Sequence, residues 1–263
     1  MLETVSISTA ALNFVITGQR RCGANILHTS INCHPDAVCH GDLLHPDFSV
    51  RRSAHEDYFG PTPEDVPGWC DPKIISPEQY LTTRVFDHAV RGEKAIGIRA
   101  MYQQLSDNTL WEYCSDRCRE GDFTVIHVHR NPLACYVSIK QAEQTGQWSA
   151  SVHDCLNLET PPSISIDMVE LQEFCRQHEA NEARMRALFD DRLELDYREL
   201  FINYRHVMEE VFKFLELPPH PGVSPGTRRL KNRSIRERIF NFDTAQKQAP
   251  YDVKPYFNAP DLF

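Results

Sequence analysis

Two arginines sit inside a glycine-bounded loop, Gly18-Gln19-Arg20-Arg21-Cys22-Gly23-Ala24-Asn25. An apolar run, residues 13–17 (NFVIT), precedes the loop, and a helical pattern over residues 25–33 follows it. Glycine lets the backbone turn sharply, so that successive amides point inward as a nest for oxyanions, and the next helix adds its positive end. The G-x-x-x-x-G spacing is that of a phosphate-binding loop, but Ala24 and Asn25 stand where lysine and a hydroxyl residue normally follow. There is then no ammonium for a β/γ-phosphate and no hydroxyl for magnesium. Arg20 and Arg21 supply the positive charge instead, which suits a terminal phosphate or sulfate bound without a metal. The plainer alternative is a structural turn with solvated arginines.

Three further clusters could act with this loop. Residues 123–129 (FTVIHVH) are the strongest strand pattern, and Arg130 follows at the strand's carboxyl end, where open α/β sheets bind ligands. Asn131-Pro132 then reads as an N-cap with proline in the first turn, and it places Ser138 about two turns into the helix. An arginine and a hydroxyl can together grip a phosphate monoester. Late in the chain Arg228, Arg229, Lys231, Arg233, Arg236 and Arg238 form a basic run, read as a flap over phosphate. Between these, His40-Gly41-Asp42 follows a short strand at residues 37–39.

The elements that must position these residues alternate between strand and helix. Further strands are expected at residues 95–99 (AIGIR) and 192–196. Helices are expected from Pro132 to about Gly146, over residues 167–189, and over 199–217, where Leu200, Phe201, Val207, Met208, Val211, Phe212 and Leu215 share one side. This order implies an α/β fold: a single domain over residues 1–263 with a mainly parallel central sheet flanked by helices, P-loop-like in its phosphate turn. Residues 45–77, rich in Pro, Asp and His with little periodicity, read as a surface excursion. Such a segment, here within residues 45–94, is of the sort that often carries specificity.

The composition of the 263 residues narrows the partners. A formal net charge of −9 argues against a nucleic-acid binder while leaving room for a local basic pocket. No apolar run of about 20 residues occurs, so no transmembrane segment is expected. The first residues lack a basic start and an apolar stretch, so a cytoplasmic location is expected. Nine cysteines are scattered, and the Cys114/Cys118 pair has no second pair at zinc spacing. Cys33, His34, Cys39 and His40 briefly suggest a metal, but free thiols in a reducing compartment are the better reading, and no metal is expected.

Three anion-binding elements in this order resemble the sulfotransferases that use 3′-phosphoadenosine 5′-phosphosulfate (PAPS), most of all bacterial carbohydrate sulfotransferases of the Nod-factor and trehalose type. Arg21-Cys22-Gly23-Ala24 aligns with the family's R-[ST]-G-[ST] loop, with Cys22, Ala24 and Asn25 replacing its hydroxyls. Arg130 and Ser138 fall on its 3′-phosphate stretch. Residues 141–148 (QAEQTGQW), residues 195–200 (LDYREL), Phe214-Leu215 and a terminal R-x-x-x-R with Asn241 are similar to other family segments. The resemblance implies that Arg20, Arg21, Cys22, Gly23, Ala24, Asn25, Arg130, Ser138, Lys231 and Arg233 bind PAPS. It also implies direct transfer to a hydroxyl of a carbohydrate or other small or lipid-linked acceptor, in an enzyme that forms a homodimer in many relatives. A carboxylate in a short G-E segment is the family's base, which makes Asp42 the expected general base and His40 the alternative. Arg20 and His28 are candidates to stabilise the leaving oxygen, and Cys22, near a helix N-terminus and two arginines, is expected to have a depressed pKa. A P-loop nucleotide phosphotransferase, or a sulfotransferase-like protein that binds without turnover, are the remaining readings.

Overall fold

The computed structural model describes residues 11–46, 48–59, 75–86, 92–105, 108–121, 123–148, 160–226 and 233–259. Five strands, β1 (Leu12–Gly18), β2 (Ala37–His40), β3 (Ala95–Arg99), β4 (Phe123–His129) and β5 (Arg192–Asp196), form one parallel sheet in the order β2-β3-β1-β4-β5. β1 is central. Its neighbour on one side is β3, with Ile16 opposite Arg99, and on the other β4, with Gly18 opposite Val128. The chain crosses from β1 to β2 on one side and from β3 past β1 to β4 on the other, which opens a crevice beyond the carboxyl end of β1.

The helices are α1 (Ala24–Ile31), α2 (Phe48–Phe59), α3 (Pro77–Tyr80, continued by a π turn over Leu81–Phe86), α4 (Asn108–Glu120), α5 (Pro132–Thr145) and α6 (Met168–Leu188). They are followed by α7 (Glu199–Ile202), α8 (Tyr204–Phe214), α9 (Ile235–Arg238), α10 (Phe242–Gln248) and α11 (Lys254–Asn258). Side chains alternate across a strand, so each strand serves two layers. Phe14, Ile16, Ile126 and Val128 pack with Leu27 and Ile31 of α1 and Val207, Met208, Val211 and Phe212 of α8. Val15 and Val125 face the other way, onto Trp111 and Cys114 of α4 and Met185 of α6. A third cluster joins α5 and α6 to the last helices through Leu133, Val137, Leu171, Ile235, Ile239 and Phe257.

Most expected elements are present, and the expected caps work as drawn. Asn131 Oδ1 accepts from the amides of Leu133 (2.9 Å) and Ala134 (3.4 Å), Pro132 opens α5, and Gly146 closes it with φ 69°. Two expectations need correction. The surface excursion at residues 45–77, read without an element of its own, contains α2. That helix carries an Arg52–Glu56 ion pair at 2.8 Å, and among its described side chains Ala54 packs on the core while Val50 lines the crevice. The helix expected over residues 199–217 is two helices broken at Asn203 (φ −123°, ψ 36°). Asparagine competes with helical backbone bonding, and here its carbonyl accepts from the Val207 amide at 3.0 Å while its amide reaches back to Glu199. The apolar stripe runs through the break, so periodicity alone cannot show it. Among the described residues no helix is long and apolar enough to cross a membrane.

Ile126 is completely buried in the central layer. Ile126→Ala is expected to lower unfolding stability by about 2–5 kcal/mol, the cost of the lost transfer energy plus the residual cavity; urea denaturation measures it.

Candidate anion and acceptor site

The crevice beyond β1 is a cavity of about 760 Å³. Its floor is the loop between β1 and α1. Gly18 must be glycine, since a Cβ there would lie 2.3 Å from the Val128 carbonyl oxygen. Gly23 is the N-cap of α1 at φ 101°, offers no side chain to cap the first turn, and has Tyr197 against it, so that a Cβ would meet the ring at 2.8 Å. Gly23, Ala24 and Asn25 line the cavity, and no side chain caps the first turn of α1. Arg21 holds a left-handed backbone (φ 73°), which a non-glycine residue adopts only at some cost.

The two arginines of this loop divide their work. Arg20 is exposed, and its guanidinium lies over the Trp148 indole at 4.5 Å. Arg21 turns inward: its Nε donates to Ser138 Oγ at 2.9 Å and its Nη1 donates to the Trp148 carbonyl. Arg130, just past β4, donates through Nη1 to the Arg21 carbonyl at 2.7 Å and stacks on Tyr197 at 3.8 Å. Burial, and next the Arg130 charge, push the Arg21 pKa down from its usual value. Neither guanidinium is paired with a carboxylate among the described residues. Two cations brought together beside the start of α1 can meet an anion.

The expected residues fare unequally. Arg20, Arg21, Gly23, Ala24, Asn25, Asp42, Arg130, Ser138 and Arg233 all line the cavity. Arg233 does so as a strut, bonded to the Pro161 carbonyl (3.2 Å), Ser163 Oγ (3.0 Å) and the Glu237 carbonyl. Lys231, like Arg228 and Arg229, lies outside the described residues. Cys22 is a correction: its sulfur points into the core beneath Gly18, fully buried, and burial pushes the thiol up to about 11 rather than down. Only its backbone can serve the loop. His40 is buried in β2 and does not line the cavity. Asn241 is also structural, bonding both the amide and the carbonyl of Ile166 at 2.8 and 2.9 Å. His34, in the stretch that briefly suggested a metal, uses both ring nitrogens on backbone groups of Asp36 and Pro218.

Asp42 stands on the far wall with φ 57°, and its Oδ1 pairs with Arg99 Nη2 at 2.6 Å. Sequence reading missed Arg99, although a cation ending a buried strand beside β1 satisfies the same rule that found Arg130. Tyr197 was read only as part of a resembling segment, yet it props both Gly23 and Arg130. His28 lies behind Gly41, whose Cβ would be 3.2 Å from the ring, and is not among the cavity-lining residues. Burial first, then the Arg99 charge, push its pKa down to about 4. His28 is therefore neutral near pH 7, and its contribution to stability is full above about 6.5 and lost as pH falls toward 4. Imidazole NMR is expected to show a His28 midpoint near 4; a midpoint at 6.5 contradicts the burial described.

No protein-family model matches the chain. Solved structures of similar outline include a sulfotransferase from Alicyclobacillus acidocaldarius (17% identity, 95% of this chain and 96% of that one, TM-score 0.46). Another is the sulfotransferase STF9 from Mycobacterium avium (14% identity, 97% and 78%, TM-score 0.46), and at such scores neither bears on the site. Among curated proteins the chain is 25% identical over 246 residues to Nodulation protein H of Rhizobium tropici, covering 87% of this chain and 86% of that one. This similarity, along nearly the whole of both chains, upholds the resemblance to sulfotransferases of the Nod-factor kind that the loop, the Arg130 stretch and residues 141–148 carry.

Proposed function

We propose that the chain transfers a sulfuryl group from PAPS to a hydroxyl of a carbohydrate or other small or lipid-linked acceptor. One observation carries this reading: Arg21 and Arg130, unpaired with any carboxylate among the described residues, converge with Ser138 and the α1 amides on one cavity. Such a set binds a dianionic phosphate and a sulfate without calling for a metal. Ala24 and Asn25, in place of lysine and a hydroxyl, disfavour magnesium-nucleotide chemistry at the same loop.

In this reading the loop amides and Arg20 hold the 5′-phosphosulfate, and Arg21, Arg130 and Ser138 hold the 3′-phosphate, with Arg233 at the rim. The acceptor oxygen attacks sulfur in line with the bridging oxygen. The new oxygen–sulfur bond forms as the bridging sulfur–oxygen bond breaks, and 3′-phosphoadenosine 5′-phosphate (PAP) leaves with the electron pair. Asp42 accepts the acceptor's proton. Arg99 fixes one carboxylate oxygen, so the other can face the acceptor. As with phosphoryl transfer, positioning and charge stabilisation carry most of the rate.

Calorimetric titration with PAP in the absence of magnesium is expected to give micromolar binding, weakened by about 1.5–3 kcal/mol in Arg130→Ala and less in Ser138→Ala. A wild-type protein that does not bind PAP sinks the donor assignment. Asp42→Asn is expected to keep PAP affinity and to lower turnover of a working acceptor by about 100- to 10,000-fold, the scale of a lost general base; near-normal turnover would reassign the base.

A further inference from the structure

Arg20 and Arg21 are neighbours in the chain, yet one residue beyond α5 holds them in two different ways. Gly146 closes that helix with φ 69°, and two residues later Trp148 lines the crevice. The Trp148 carbonyl accepts from Arg21 Nη1, while its indole lies under the Arg20 guanidinium at 4.5 Å. Other exposed arginines lean on carboxylates: Arg52 on Glu56 (2.8 Å), Arg119 on Asp116 (2.9 Å) and Arg176 on Glu173 (2.6 Å). Arg20 makes no hydrogen bond or ion pair among the described residues, although it too lines the crevice. Stacking occupies the flat face of a guanidinium and leaves its N–H edge for hydrogen bonds. A side chain ordered in this way before an anion arrives loses less rotamer freedom when it binds.

We propose that Trp148 is a positioning residue for sulfuryl transfer, whose ring holds Arg20 at the crevice for the 5′-phosphosulfate without occupying any of its donors. This rests on the reading of the crevice as a PAPS site. A carboxylate beside Arg20 would order the side chain equally well, but it would compete with the anion for the same N–H groups. The indole orders the cation and leaves those groups to the ligand. Trp148 acts through Arg20 and touches no reacting atom itself, so its contribution disappears when Arg20 is removed. Trp148 is 38% exposed and belongs to none of the three core clusters, so its ring can be replaced with the fold retained.

The test is a double-mutant cycle on PAP affinity, read by calorimetry without magnesium in wild type, Trp148→Leu, Arg20→Ala and the double variant. Leucine keeps apolar bulk and removes the aromatic face. Trp148→Leu is expected to weaken PAP binding about three- to tenfold when Arg20 is present. In the Arg20→Ala background the same change is expected to cost less than about 1.5-fold, because the two residues act as one unit. Trp148→Phe, which keeps an aromatic face, is expected to recover most of the loss. Equal losses in both backgrounds would mean that the ring meets the nucleotide directly or merely supports the loop, and would overturn the inference. So would a Trp148→Leu protein that binds PAP as tightly as wild type. Wild-type protein that does not bind PAP fails one step earlier, at the donor assignment, and removes the inference with it.

Discussion

Arg130 stacked on Tyr197, with its Nη1 on the Arg21 carbonyl, is the contact on which the site depends. Arg130 follows β4, Tyr197 follows β5, and Arg21 belongs to the loop after β1, so one guanidinium ties together the ends of three strands. The backbone supports the same arrangement, since the Tyr197 amide donates to the His129 carbonyl at 2.9 Å. A cation over an aromatic face contributes about 0.5–2 kcal/mol, depending on how dry the contact is. A charged hydrogen bond adds about 1.5–3 kcal/mol. Together these offset the repulsion between Arg130 and Arg21 and the strain of a left-handed arginine, and the loop stays shaped for an anion.

The choice of small and large residues around that contact follows from it. Tyr197 can lie under Arg130 only because Gly23 leaves room for its ring, and Gly18 can leave β1 only because it has no Cβ to strike the Val128 carbonyl. Cys22 fills the space below the loop as a neutral apolar group rather than as a reactive thiolate. With a buried cysteine at this position, the side chains that the loop turns to the cavity are those of Arg20 and Arg21.

Across the sheet the second ion pair has a different task. Asp42 and Arg99 neutralise one another at the ends of β2 and β3, so this half of the wall carries no net charge and can be lined with Leu44, Val50 and Met101. One half of the crevice attracts anions and the other half does not, and the dividing line is the central strand.

The sequence by itself determined the local features. The short apolar runs and the punctuation at Gly18, Asn131-Pro132 and Gly146 sufficed for the strands, the turn after β1 and the helix starting at Pro132, because these depend on neighbours within a few residues. The same local chemistry marked Arg20, Arg21, Arg130, Ser138 and Asp42 as candidates. Tertiary structure decided what distance along the chain conceals. The Arg21–Ser138 bond spans 117 residues, and the Arg99–Asp42 pair exists only because β2 and β3 are neighbours in the sheet. The inward turn of Cys22, the burial of His40 and the break at Asn203 under an unbroken apolar stripe were likewise decided by packing. Periodicity reports which side of an element is apolar, and it carries no information about which other element will cover that side.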